Sequence, residues 1–229
     1  MAKRTFEVLS IFPKMFEPVL SESIIKRAQE KKLVKINLYD LRDFTPDKHK
    51  KVDAPPYGGG PGMVFRVEPV YYALEHIKKR DKKTKPWVIL LSPQGKILTQ
   101  KLAKKILRHK RIVLLCGRYE GVDERIREYL IDEEISIGDY ILTGGEIPAM
   151  VLLDVLTRLI PGAVGDAESI RNESFENGFL DFPHYTRPRN FKGWKVPSIL
   201  LSGDHKKIEK WRRQKAKENT LRKRPDLLS

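Results

Sequence analysis

Two short apolar runs within residues 111–149 constrain the fold more than any other part of the chain. The first, residues 112–116, is stopped by Gly117, and the second, residues 134–137, is stopped by Gly138. Such runs are typical of buried strands that open into loops. Ligands of open α/β sheets bind outside the carboxyl ends of strands, so these two ends predict one shared pocket. Two ordinary strand-to-helix turns would explain the same pattern, because glycine marks most turns.

The rest of the first 160 residues predicts an alternation of strands and helices. Strands are expected at residues 4–12, 35–41 and 87–91, and Ser92 to Gly95 are expected to end the last of them. Helices are expected from Ser21, at residues 67–80, at residues 100–109 behind a Thr99 cap, and at residues 148–160. This alternation predicts an α/β fold with a mostly parallel sheet and helices on both faces.

Residues 42–66 interrupt that alternation with a long loop that has no periodicity. Compact domains seldom contain so long a loop unless it is functional or mobile. Its core, residues 58–62, is GGGPG, a composition that excludes helix and strand. A bare glycine backbone could approach a flat ligand closely, and a flexible surface tip would have the same composition. Both interpretations stay open on composition alone.

The charge balance predicts an anionic partner. The formal net charge is +15, from 45 Lys and Arg against 30 Asp and Glu. Residues 184–229 contribute +10 of it, with 14 Lys and Arg against 4 Asp and Glu, and Tyr185, Trp194 and Trp211 lie among them. Basic side chains interleaved with aromatic ones favour contact with RNA over a merely solvated helix face.

Several classes of protein and of site are not expected. No stretch of about 20 apolar residues is present, and the most apolar segment, residues 147–164, carries Asp154 and Arg158, so a membrane partner is not predicted. The N-terminal apolar segment is too short for a secretory signal, and a single cysteine excludes an internal disulfide, which together predict a cytoplasmic protein. That residue, Cys116, is expected to be buried.

The motifs of several common chemistries are missing as well. The sequence has no GxGxxG after its first strand, and no GxxxxGK[ST], HExxH or GxSxG motif. Its five histidines do not fall at metal-ligand spacing, so no metal site is predicted. A nucleotide-like cofactor would therefore have to be held by other loops.

Five segments together resemble one family over nearly the whole chain. They are GRYEGVDER (117–125), SIGDYILTGGEIPAM (136–150), YGGGPGM (57–63), LSPQG (91–95) and PHYTRP (183–188). The resemblance is to the bacterial tRNA (guanine-N1)-methyltransferase family, TrmD, of the SPOUT class. It implies a mostly parallel open α/β sheet with a C-terminal trefoil knot, plus a small, mainly helical C-terminal domain. The implied domains are residues 1–163 for catalysis, 164–175 as a linker, and 176–229 as a basic tRNA-binding domain.

The resemblance also implies partners and site residues. S-adenosyl-L-methionine would donate a methyl group to N1 of guanosine 37 of tRNA, in a homodimer, with Mg²⁺ supporting activity. Arg158 and Glu173 match the catalytic pair, although the family has aspartate where this chain has Glu173; Asp181 and Glu120 are the nearest substitutes. Substrate-binding residues would be Tyr57, Gly59 and Arg187. Cofactor-binding residues would be Leu91, Ser92, Pro93, Gly117, Glu120, Ser136, Ile137, Gly138, Asp139, Tyr140, Ile141, Leu142, Gly144 and Gly145.

Two other functions remain in consideration. A non-catalytic RNA-binding protein would use the basic C-terminal segment alone, and its affinity for RNA would not respond to S-adenosylmethionine. A SPOUT methyltransferase acting on another RNA would give a different methylated nucleoside.

Overall fold

The computed structural model describes residues 4–165 and 173–228. The chain divides into two compact units, with the boundary between residues 165 and 166. Among the described residues, no helix is both long and apolar enough to cross a bilayer.

A five-stranded parallel sheet forms the centre of the first unit, which confirms the predicted α/β fold. Its strands are β1 (Arg4–Ser10), β2 (Val34–Asp40), β5 (Trp87–Ile97), β6 (Arg111–Cys116) and β7 (Glu133–Ser136). Their order across the sheet is β2-β1-β6-β5-β7. A two-stranded antiparallel pair, β3 (Asp53–Ala54) and β4 (Val64–Phe65), lies within the long loop. The central strand β6 is buried along its whole length, as strands covered on both faces are.

Helices cover both faces of this sheet, as the alternation predicted. They are α1 (Glu17–Leu20), α2 (Ser23–Glu30), α3 (Val67–Arg80), α4 (Gln100–Ile106), α5 (Glu124–Leu130) and α6 (Glu146–Arg158). Alternate side chains of the strands enter two separate cores. Ile112 and Leu114 of β6 pack in one core with Leu152 of α6, whereas Val113 packs in the other with Leu74 of α3.

Some predicted boundaries were wrong. β5 was expected to end before Ser92, yet it continues to Ile97 after a register shift: Leu91 and then Lys96 pair with the same residue, Ile135 of β7. The last strand begins at Glu133 and ends at Ser136. The helix expected at residues 148–160 runs from Glu146 to Arg158, because proline is tolerated in the first turn of a helix. The Thr99 cap is confirmed, since its side chain accepts a hydrogen bond from the Leu102 amide.

A buried ion pair joins the central strand β6 to its neighbour β1. Arg111 of β6 donates to Oε1 of Glu7 of β1 at 3.0 Å, and both side chains are almost fully buried. The second carboxylate oxygen of Glu7 accepts from Asn37 of β2 at 2.8 Å. Arg111 also donates to the carbonyl oxygen of Ile77. Both charges are therefore satisfied inside the sheet, which is the condition for burying them.

The second unit contains one long helix and a small hairpin. Helix α7 (His205–Lys223) begins behind Asp204, whose side chain accepts from the Lys207 amide. Strands β8 (Asn190–Phe191) and β9 (Trp194–Lys195) pair antiparallel. The Leu180 amide donates to Oγ1 of Thr220 at 2.8 Å, which ties the chain before the hairpin to α7.

Candidate active site

One cleft of about 290 Å³ lies where the loops after three neighbouring strands meet. The excursion after Leu91 of β5, the loop after β6 and the loop after β7 form its walls. The carboxyl ends of parallel strands share one edge of the sheet, so these loops converge there. The two strand ends that the sequence placed at a shared pocket are therefore brought together.

Most of the residues predicted to bind a cofactor line this cleft. Asp139 is the exception, because it is absent from the lining. The predicted residues that do line it are Leu91, Ser92, Pro93, Gly117, Glu120, Ser136, Ile137, Gly138, Tyr140, Ile141, Leu142, Gly144 and Gly145. Their role in binding stays a prediction, and their proximity is the structural finding.

The loops after β6 and β7 are joined to each other by their backbones. The Gly145 amide donates to the carbonyl oxygen of Gly117 at 2.8 Å, and Arg118 forms an antiparallel bridge with Gly144. A Cβ added at Gly145 would lie 2.7 Å from Cα of Cys116, so only glycine fits there without movement of the backbone. This close approach holds two walls of the cleft at a fixed separation.

A buried carboxylate also connects the loop after β6 to the start of α6. Glu146, in the first turn of α6, is 1% exposed. Its Oε1 accepts from the Ser10 hydroxyl at 2.7 Å, and its Oε2 accepts from Nε of Arg118 at 3.0 Å. The Arg118 guanidinium also lies over the ring of Phe12 at 4.3 Å. A lining residue of the cleft is thus connected to the end of β1, and its charge is paired as burial requires.

The third wall follows from the register shift in β5. Between the two pairings with Ile135, residues 92–95 leave the sheet and line the cleft as far as Gln94. A Cβ at Gly95 would lie 2.3 Å from the Ile135 amide nitrogen, which explains glycine at that position. Ser92 accepts from the Gln94 amide through its Oγ at 3.2 Å. The wall is therefore held internally and at both of its ends.

Ten residues of the lining are not among the fourteen that the sequence interpretation named, and they include Arg118, Tyr119 and Arg127. Arg118 and Tyr119 follow Gly117 directly, and Arg127 reaches the cleft from α5, where its Nε pairs with Glu134 at 3.0 Å. Burial and the neighbouring Asp53 carboxylate raise the pKa of Tyr119, so its phenol stays protonated near neutrality. For Arg118 and Tyr119 the charged run after Gly117 was the available signal, since ligand pockets place a few polar groups among apolar ones.

The buried thiol beside the cleft has a packing role, as the sequence predicted. Cys116 is fully buried at the end of β6. Burial raises the pKa of its thiol well above the ordinary value, so the neutral form dominates. A neutral thiol without access to solvent is a poor nucleophile.

The remaining predicted site residues lie outside the cleft lining. Tyr57 is fully exposed, and Gly59 has a positive φ in the glycine loop. The far end of that loop reaches the cleft, because the Glu120 amide donates to the carbonyl oxygen of Met63 at 3.1 Å. Arg187 lies exposed in the second unit.

Arg158 and Glu173 belong to different units. Arg158 is the last residue of α6, and Glu173 is the first described residue after the boundary. Their catalytic roles stay a prediction.

Comparison with known proteins decides the family. The family model described as "tRNA (Guanine-1)-methyltransferase TrmD" matches residues 4–229. The chain belongs to this family. Its members are tRNA (guanine-N1)-methyltransferases, and membership assigns the chain to that class of enzyme, for which S-adenosylmethionine is the implied methyl donor.

Curated relatives agree with this family over nearly their whole length. A tRNA (guanine-N(1)-)-methyltransferase of Dictyoglomus turgidum is 54% identical over 222 residues, which are 97% of this chain and 89% of the relative. A protein of the same name from Endomicrobium trichonymphae is 54% identical over 229 residues, 97% and 98% of the two chains. Another from Ruminiclostridium cellulolyticum is 54% identical over 224 residues, 98% and 96% of the two chains.

Proposed function

We propose that this protein transfers a methyl group from S-adenosylmethionine to N1 of guanosine 37 of tRNA, on the 3′ side of the anticodon. The observation that carries the proposal is the cleft at three strand ends, in a chain of the TrmD family. Its glycines at 117, 144 and 145 add no side chain to the lining, so a flat ligand can approach the backbone closely, and Ile137, Leu142 and Pro148 add apolar surface. The cleft therefore has the composition that an adenosine-like ligand requires.

The chain's own residues must manage one proton and one developing charge. S-adenosylmethionine supplies the methyl group when bound. Guanine N1 carries a hydrogen at neutral pH, so a carboxylate at Glu173 would accept that proton as N1 is methylated. A cation at Arg158 would stabilise the negative charge that develops on O6. A positioned base contributes roughly 10²- to 10⁴-fold in rate, and a fixed cation adds electrostatic stabilisation.

A homodimer and a trefoil knot are further parts of the proposal. Exposed apolar side chains on α6, Ile147 and Val151, accompany exposed Met15, in the 3₁₀ turn Pro13–Phe16 that packs beside α6, and exposed Phe12 just before that turn. An exposed apolar patch on a protein surface often marks an interaction site, and a second copy of the chain is the proposed occupant. The knot would be formed by the cleft loops, as the resemblance implies.

The proposal also covers an Mg²⁺ requirement, the cellular compartment and the unit that binds tRNA. Within the described ranges, no group of three or more His, Cys, Asp and Glu side chains could hold a metal ion, so no step is derived through Mg²⁺. Methyl transfer measured with and without a chelator tests any Mg²⁺ requirement. We assign the enzyme to the cytoplasm, where tRNA is its substrate. The basic second unit is proposed to bind that tRNA, because cations supply most of the affinity for nucleic acid.

The test is transfer of labelled methyl from S-adenosylmethionine to a tRNA transcript with G at position 37, beside a transcript with A there. The expected product is 1-methylguanosine from the first transcript alone. Glu173→Gln should then lower the rate while cofactor affinity is unchanged, and Glu30→Gln, at an exposed carboxylate of α2, serves as the matched control. Labelling of neither transcript, although both bind, would favour a non-catalytic RNA-binding protein. A different methylated nucleoside would favour another RNA target.

A further inference from the structure

The hairpin at residues 190–195 presents two large aromatic side chains to solvent. Phe191 is 52% exposed and Trp194 is 74% exposed. Their ring centroids lie 5.8 Å apart with the planes inclined at 59°. Large apolar rings are normally removed from water, so two of them at one surface turn require an explanation.

Stability of the hairpin does not supply that explanation. Lys192 and Gly193 form the turn with φ of +51° and +89°, which is typical of a two-residue hairpin loop. The Gly193 amide donates to Oδ1 of Asn190 at 3.0 Å, and the Val196 amide donates to the carbonyl oxygen of Arg189 at 3.0 Å. The turn is therefore closed by hydrogen bonds that do not involve the two rings, and an aromatic cross-strand pair adds only a small stabilisation over small residues.

The segment that carries the rings has charges of one sign. No acidic residue occurs between Asp181 and Asp204, whereas Arg187, Arg189, Lys192 and Lys195 lie in that interval. The Lys192 ammonium lies 5.7 Å from the centroid of the Phe191 ring. Cations beside exposed aromatic faces match single-stranded nucleic acid, whose phosphates and bases alternate along the strand.

We propose that this hairpin is an RNA-contact site in which the Trp194 indole stacks on an unpaired base while Phe191 positions the indole. Lys192, Lys195 and Arg189 would hold the phosphates that flank the stacked base. Stacking is tolerant of sequence because every base has a π face, so the site would recognise an unpaired segment rather than a particular base. The inference depends on the proposed function in one respect only, which is that tRNA is taken as the RNA that binds.

The first test is equilibrium binding of the full-length protein to the same G37 transcript across a range of salt concentrations. Trp194→Ala should raise Kd on the order of tenfold at every salt concentration and leave the salt slope unchanged, because stacking releases no counterions. Lys195→Ala should instead reduce the salt slope by about one, as loss of a phosphate contact does. Trp194→Tyr should retain most of the affinity. Tyr72→Ala, which removes an exposed ring from α3, is the matched control and should bind normally.

A fully paired RNA duplex separates stacking from general attraction. Trp194→Ala and the wild-type protein should bind such a duplex equally, since it offers no unpaired base. The proposal would be overturned if Trp194→Ala bound the tRNA transcript as tightly as the wild type. It would also be overturned if the substitution weakened binding to the duplex by the same factor as binding to the transcript.

Tryptophan fluorescence gives a readout that does not depend on removing the ring. The chain has three tryptophans, so Trp87→Phe with Trp211→Phe leaves Trp194 as the only one, and excitation at the red edge of the absorption band avoids tyrosine emission. The transcript should protect Trp194 from quenching by acrylamide. Protection by phosphatidylglycerol vesicles and none by RNA would indicate a lipid contact and overturn the proposal. Because methyl transfer by the wild type is measured separately, failure of the hairpin proposal would not be confused with failure of the proposed reaction.

Discussion

Replacing Gly145 by alanine should damage the cleft through packing alone. Its φ of −78° and ψ of −4° suit any residue, so no backbone strain enters. The added Cβ would lie 2.7 Å from Cα of Cys116, 3.0 Å from the Gly117 amide nitrogen and 3.2 Å from the Cys116 carbonyl carbon. All three are backbone atoms of the central strand or the residue after it, and none can rotate away. The loop or the strand end must therefore move.

The expected cost of Gly145→Ala is that of overpacking, about 1–3 kcal/mol of unfolding free energy. For a chain of this size that corresponds to a fall in Tm of about 2–12 °C. Affinity for S-adenosylmethionine should fall as well, because the Gly145 amide would no longer hold the Gly117 carbonyl at 2.8 Å. Scanning calorimetry measures the first effect, and titration calorimetry with the cofactor measures the second.

Gly117→Ala is the matched control from the opposite loop. A Cβ there would meet Val122 Cγ1 at 3.5 Å and Leu90 Cδ1 at 3.7 Å, which are ordinary contacts. Its unfolding free energy should therefore stay within about 0.5 kcal/mol of wild type. Equal Tm values for the two variants would refute the steric reasoning. A loss of cofactor affinity in Gly117→Ala at unchanged Tm would show that this glycine serves the ligand instead of the fold.

Three further outcomes follow from buried groups. Arg111→Met leaves the Glu7 carboxylate buried without its ion-pair partner and should lower the unfolding free energy by about 3–5 kcal/mol in chemical denaturation. The double variant Arg111→Met/Glu7→Leu should recover part of that loss. Glu146→Gln removes the charge that pairs with Arg118 and should cost about 1–3 kcal/mol and loosen cofactor binding; an unchanged denaturation midpoint would contradict this. Cys116 should not react with a thiol reagent at pH 8 until the protein unfolds, because burial raises its thiol pKa; rapid labelling of the native protein would show that the strand end opens.

Local patterns predicted the elements of this fold well. The helix at residues 67–80 coincides with α3, because apolar side chains at helical spacing face one core. The ends of β5 and α6 were harder to predict from the sequence, because both depend on contacts between distant segments. β5 continues because Lys96 finds a second partner in Ile135, and α6 starts early because Glu146 is satisfied by Ser10 and Arg118. Propensity carries no information about such partners.

The candidate site shows the same division. Glycine-marked strand ends were visible as a pattern, but the resemblance to a family was needed to select fourteen residues, and the structure places all but Asp139 on the cleft. Arg127 was not predicted, because the sequence of its helix does not indicate which face meets the cleft. The buried pair of Glu7 and Arg111 was equally hidden, since charged side chains are usually expected at the surface.

The double pairing of β5 with Ile135 has a thermodynamic consequence for ligand binding. Residues 92–95 leave and rejoin the sheet opposite the same residue, so both ends of this short segment are fixed before any ligand arrives. Most of the chain entropy of ordering that wall is already lost on folding, at roughly 1–2 kcal/mol per residue, and little is lost again on association. The wall is preorganised, and the free energy of its contacts with a ligand is available for affinity and orientation.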